Sequence, residues 1–157
     1  MVLKIKGIHY KLRLNSDEAL AYVRSLNKDG EKRYHGLRAT GADESGIQAG
    51  VEQNGDFILC LIPHAFLRGL EPGNKKRAKL IRQFIEHEHN LGNIPPILVE
   101  GTSPTCLKLF DGHARASASY NLGRPILGYV PERLISKLPG VMPFGWKVRV
   151  KSFFGRH

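Results

Sequence analysis

Segment 109–125, LFDGHARASASYNLGRP, places an acid (Asp111), an imidazole (His113) and a guanidinium (Arg115) within five positions, arranged about Gly112. The apolar residues before the glycine suit a strand, and the small residues after it suit a helix. A strand that turns through glycine into a helix is a good seat for an anion. The first N–H groups of the helix have no intrahelical acceptor, and the helix dipole is positive at that end. Gly112 permits a sharp bend and a close approach of the backbone to a ligand. The amides on offer are those of His113, Ala114 and Arg115, and Arg115 can add a forked contact to phosphate oxygens. Asp111 can accept a proton, position a metal-bound water, or hold Arg115 in a salt bridge. His113 can donate to a phosphate or act as acid or base near neutral pH. Asp111, His113 and Arg115 are therefore the catalytic candidates. The alternative use of the same residues is architectural: Asp111 caps the helix and pairs with Arg115.

The elements that must hold this corner follow from periodicity. MVLKIKGIHYKLRL alternates apolar and basic residues as a strand does, with a change of phase near Gly7 and Ile8 that predicts a bulge or turn. NSDEALAYVRSL predicts a helix capped by Asn15 with Glu18 reaching back, and NKDGEKRY predicts its end. Residues 35–56 are rich in glycine and polar side chains and read as a loop, with a short strand around 47–51 and a turn at 54–56. FILCLIP (57–63) reads as a strand buried on both faces. HAFLRGLEPG follows as a brief turn or helix. NKKRAKLIRQFIEHEHNLGN has helical spacing, with Leu80, Ile81, Phe84, Ile85 and Leu91 on its apolar stripe. Its first half is basic, against the helix dipole, an arrangement that fits a nearby phosphate and equally a solvated face. IPPILVEG and CLKLF predict a hairpin of two strands. A helix over 114–122 comes next, ended by Gly123, Arg124 and Pro125. ILGYVP is then a strand, PERLISKL a short helix and WKVRVKSFF a last strand. The class is α+β, a compact domain with a small mixed sheet and packed helices.

The net charge of +10, with pI near 9.9, favours anionic partners such as nucleic acid, nucleotides or an acidic protein surface. The chain has two cysteines, Cys60 and Cys106, and neither belongs to a CxxC pair, which excludes a zinc ribbon or a dithiol redox motif of that type. No apolar run approaches the ~18 residues of a membrane span, and the N-terminus has no signal-peptide core. A cytoplasmic protein is expected.

The order of elements, together with Pro95-Pro96-Ile97 and the run LFDGHARASASYNLGRPILGYVP, resembles the ParB/sulfiredoxin superfamily over residues 57–131. On that resemblance the whole chain is one domain, with 1–56 an N-terminal strand-helix-loop extension, 57–131 the core and 132–157 a C-terminal helix and strand. Gly112 and Arg115 match the first and fourth positions of the G-E-R-R-like box of ParB proteins, with His113 where the acid stands. Sulfiredoxin carries its reactive cysteine at the position of His113, so sulfiredoxin chemistry is not expected. The free-serine kinases of the superfamily have a D-G-H-H-R box, which Asp111, Gly112, His113 and Arg115 match while Ala114 replaces the second histidine. In these relatives the corner binds nucleotide or phosphate. The resemblance thus implies ATP or another nucleoside triphosphate with Mg²⁺, held by Gly112, His113, Ala114 and Arg115 with Pro96 and His64 nearby. Size, charge and the lack of further domains are similar to plasmid fertility-inhibition proteins of the oncogenic-suppression type. That likeness implies nucleotide hydrolysis, DNA cleavage and a block on DNA transfer through a type IV secretion system. The competing expectation is a non-catalytic basic inhibitor or adaptor that docks a protein partner, its nucleotide site vestigial.

Other constellations carry less. His87 and His89 in EHEHN lie about 200° apart on a helix, so they do not form a metal pair of the HExxH kind, and no metal site is expected from them. Ser103, Thr102 and Thr105 can touch phosphate or simply make a turn. Phe144 and Trp146 beside Lys147 and Arg149 can stack on bases or pack in a core.

Overall fold

The computed structural model describes residues 2–5, 8–33, 44–70, 75–88, 91–102 and 106–144. The alternating N-terminus forms a hairpin of β1 (Val2–Ile5) and β2 (Ile8–Lys11), with Ile5 opposite Ile8. Then follow β3 (Arg13–Leu14), α1 (Ser16–Arg33), α2 (Glu44–Asn54), β4 (Phe57–Ile62) and a 3-10 turn, His64–Leu67. Next are α3 (Lys75–His87), a 3-10 turn at Leu91–Asn93, β5 (Ile97–Thr102), β6 (Leu107–Asp111) and α4 (His113–Asn121). The described chain closes with β7 (Ile126–Pro131), a 3-10 helix at Glu132–Lys137 and β8 (Met142–Pro143).

α1 starts as its sequence dictates. The Glu18 amide donates to Asn15 Oδ1 at 2.9 Å, and the Asn15 amide donates to Glu18 Oε1 at 3.1 Å. Each side chain thereby satisfies a backbone donor of the other residue. The far end of α1 lies within NKDGEKRY, as expected, but late in it: the helix runs through Gly30 to Arg33. One internal glycine costs only about 1 kcal/mol, and Glu31, Lys32 and Arg33 are adequate helix formers. A correction concerns 44–54, which is helix and not loop with a short strand at 47–51. Ile47 and Val51, four apart, are both buried, so the useful period was 3.6 and not 2. Gly46 and Gly50 hid it. Gly50 is there for space, because a Cβ would lie 2.6 Å from a ring atom of Phe110 on β6.

The main sheet is mixed, in the order β3-β4-β7-β5-β6. β4 is antiparallel to β3 and β7, β5 is parallel to β7, and β5 is antiparallel to β6 in the expected hairpin. β8, not anticipated, shares the outer edge of β4 with β3. β3 lies opposite Phe57 and Ile58, and β8 lies opposite Cys60 and Leu61. The handover is at Leu59, whose N–H donates to Leu12 O and whose carbonyl accepts from the Phe144 N–H, each at 2.9 Å. The expected strand at WKVRVKSFF lies outside the described residues.

Alternation along the strands separates two apolar layers. Phe57, Leu59, Leu98, Leu127 and Tyr129 pack with Leu20 and Val23 of α1 and with Ile47 and Val51 of α2. Ile58, Cys60, Ile62, Ile97, Val99, Ile126 and Val130 pack with Ile81 and Ile85 of α3 and with Ala116 and Ala118 of α4. α1 and α2 thus cover one face of the same sheet whose other face carries α3 and α4. Cys60 is a buried free thiol, and burial pushes its pKa up, which makes it inert. Among the described residues no helix is long and apolar enough to cross a membrane.

Asn15→Ala removes one half of the reciprocal cap at an exposed position. It should lower stability by about 1 kcal/mol, read as a reduced urea midpoint with an unchanged slope.

Candidate anion-binding site

β6 delivers Asp111 to the end of the sheet, and Gly112 turns the chain into α4 with φ of 107°. A side chain there is excluded twice: the conformation is left-handed, and a Cβ would lie 2.5 Å from Ile97 Cγ2. The sharp strand-glycine-helix corner is present as its sequence implies. Gly112 O accepts from the Ala116 N–H at 2.9 Å, so the amides of His113, Ala114 and Arg115 precede the first intrahelical bond. No side chain caps them.

The ionisable residues of the corner are disposed differently from expectation. Arg115 is wholly buried and Asp111 is 2% exposed. Arg115 Nη2 donates to Asp111 Oδ2 at 2.7 Å, and Nη1 donates to Pro95 O at 2.6 Å and Pro96 O at 2.9 Å. The guanidinium expected to reach a ligand is turned into the protein. The physical reason is the pair of prolines. Neither has an N–H, and the sheet ladder starts only at Ile97, so their buried carbonyls need donors from elsewhere. Tyr22 of α1 supplies another, its hydroxyl donating to Pro96 O, while its ring meets that of Tyr129 edge-on at 5.3 Å. Burial pushes the Asp111 carboxyl above its ordinary pKa, and the neighbouring guanidinium, then His113, pulls it back. Pro96 is part of this internal knot and not of an open surface.

What the surface offers lies beside the corner, between α3 and α4. The C-terminal ends of these helices are tied together. Gly123, with φ of 65°, donates to Tyr120 O and Arg124 donates from its amide to Ser119 O, each in the manner of a Schellman stop. The stop aims the Arg124 guanidinium at the last carbonyls of α3, where it donates to those of Ile85, Glu86 and Glu88. With their C-termini joined, the two helices run side by side in the same direction, and their positive ends share the opposite end. Between them is a cleft of about 270 Å³, lined by Lys75, Ala78, Lys79 and Arg82 from α3 and by Ala114, Ser117, Ala118 and Asn121 from α4. The three cations are exposed and make no ion pair with a described residue. Ser117 is only 9% exposed, and what it exposes lies in this cleft. Small residues on α4 open the cleft, since bulkier side chains at 114, 117 and 118 would fill it.

His113 is exposed on the first turn of α4, next to Ala114 of the cleft wall. His64 is exposed too, but its ring lies 6.4 Å from that of Tyr120. Tyr120 is seven residues, about 10 Å, along the helix from His113, so His64 belongs to the far end of α4. The structure therefore puts Ala114 in the cleft wall with exposed His113 before it in sequence, buries Asp111, Gly112, Arg115 and Pro96, and leaves His64 apart. Sequence reasoning registered the basic first half of α3 without assigning it to the site, and it missed Ser117 and Asn121. The signal for the three cations was the i, i+4, i+7 spacing of Lys75, Lys79 and Arg82, which puts them on one helix face. Among the described residues no cluster of metal-ligating side chains occurs. No family, curated protein or solved structure matches the chain.

Arg115→Met should cost about 3–5 kcal/mol, because it leaves Asp111 buried without its counter-charge. Combining it with Asp111→Leu should cost less than the single change. The carboxyl in Arg115→Met loses the group that pulls its pKa down. Its folded value then lies further above the unfolded one, so the deficit grows as pH rises through that value and shrinks in acid. Urea denaturation of the three proteins between mildly acidic and neutral pH checks both points.

Proposed function

We propose that this chain is a phosphate-binding domain of the ParB/sulfiredoxin kind, taking the phosphates of a nucleotide or a nucleic acid in the cleft between α3 and α4. The observation that carries the reading is the convergence of charge. Two helices of the same direction place their positive ends together, each end equivalent to roughly half a unit charge, and Lys75, Lys79 and Arg82 are added along the gap. Like charges so placed repel one another, and an anion between them relieves the repulsion. Ser117 supplies a buried hydroxyl donor to the same space. The open amides at the start of α4 are backbone donors of the type that hold phosphate oxygens. The overall charge of +10 raises the local concentration of polyanions and favours DNA as a partner.

In this reading Asp111 and Arg115 are positioning residues. They fix the corner and the start of α4 and do not touch the ligand. His113 is the exposed ionisable group nearest the helix start and the candidate for direct contact with a phosphate, in binding or in hydrolysis. The burial of the other two expected catalytic groups favours a second reading as well. The domain binds phosphate without turning it over and acts as a basic inhibitor or adaptor on a partner, a DNA-transfer machine among the candidates.

ATP, CTP and GTP should each raise the melting temperature of the wild-type protein. Lys79→Ala with Arg82→Ala should weaken that binding at least tenfold by calorimetric titration, with the melting temperature of the free protein unchanged because both side chains are exposed. Binding should fall steeply with salt. Equal affinity in the double variant would sink the assignment of the cleft. Bound but unhydrolysed nucleotide would favour the non-catalytic reading.

A further inference from the structure

The cleft has the wrong chemistry for a magnesium complex. Mg²⁺ is ordinarily held in nucleotide sites by one or two carboxylates together with the substrate phosphates. Among the described residues, none of the side chains lining this cleft is a carboxylate. The acid at the corner, Asp111, is buried and committed to Arg115 at 2.7 Å. The Mg²⁺ that the family resemblance implies therefore does not fit these residues. The protein instead supplies the positive charge itself: three side-chain cations and two helix ends amount to about four unit charges, close to the charge of a fully ionised triphosphate chain. Among the described residues the rest of the lining is Ala78, Ala114, Ser117, Ala118 and Asn121, with no aromatic ring on which a base could stack. At about 270 Å³ the cleft lies just below the ~300–1,000 Å³ usual for a small-molecule pocket, which suits a phosphate chain better than a whole nucleotide.

We infer that the α3–α4 cleft takes a metal-free chain of phosphates, recognised through its charge and not through its base. The inference rests on the phosphate-binding reading above and narrows it. Lys75, Lys79 and Arg82 do here what Mg²⁺ and its carboxylates do elsewhere. Added Mg²⁺ competes with the protein for the same oxygens, because it neutralises the ligand without gaining a protein ligand in the cleft.

Calorimetric titration of the full chain with inorganic tripolyphosphate, with ATP and with an oligothymidylate, each in EDTA and in excess Mg²⁺, tests this. Tripolyphosphate and ATP should bind within about threefold of each other in EDTA. Both should bind several-fold more weakly with Mg²⁺, and both should lose at least tenfold in Lys79→Ala. An oligothymidylate that binds in EDTA in place of the triphosphates would assign the phosphates to a nucleic-acid strand and support the metal-free seat equally. Binding that appears only with Mg²⁺, or an ATP affinity tenfold above that of tripolyphosphate, would overturn the inference and leave the phosphate-binding reading standing. No binding of any of the three in either condition would overturn both.

Discussion

The fold is organised around one guanidinium. Arg115 sits at the junction of both apolar layers and answers three acceptors, the carboxylate of Asp111 and the carbonyls of Pro95 and Pro96. Because Tyr22 reaches Pro96 O from the opposite face of the sheet, the proline pair becomes the place where the two helical layers are pinned to each other and to β5. A buried charge is costly unless its donors are matched. Here the matching groups come from a strand end, a helix and a strand entry, so none of these can shift alone. The corner geometry at Gly112, and with it the direction in which α4 leaves the sheet, is a consequence of that constraint.

Given the direction of α4, the surface follows. Arg124, just past the end of α4, places its guanidinium on the negative end of α3, which is favourable, and thereby brings the positive ends of the two helices to one cleft, which is not. Lysines on the first two turns of α3 aggravate the imbalance. Elsewhere Arg13 is paired with Asp56 and Glu132, and Arg133 donates to the neutral amide of Asn54.

Local signals in the sequence were read with most success. The reciprocal Asn15–Glu18 cap, the apolar strand 57–62, the hairpin of β5 and β6 and the glycine corner all rest on contacts within a few residues. α2 escaped because its two glycines lower helix propensity, and the reason for one of them, the ring of Phe110 against Gly50, lies sixty positions further along the chain. β8 escaped because two residues carry no periodicity. At the corner the ionisable residue types were legible, but which of them face outward was not. Arg115 turns inward because two proline carbonyls lack partners, and that demand exists only once β5 has joined the sheet. The cleft itself arises from helix packing, so its lysines looked like any solvated face.

The shared outer edge of β4 bears on how the chain reaches this structure. β3 and β8 come from opposite ends of the described sequence and abut at Leu59. Loop closure over such a distance is entropically expensive and contributes little until the sheet beneath is formed. The last backbone partners of β4 therefore arrive late in folding. Chains still waiting for them present an unpaired, largely apolar strand margin to one another, which makes slow maturation and self-association competing fates of the same intermediate.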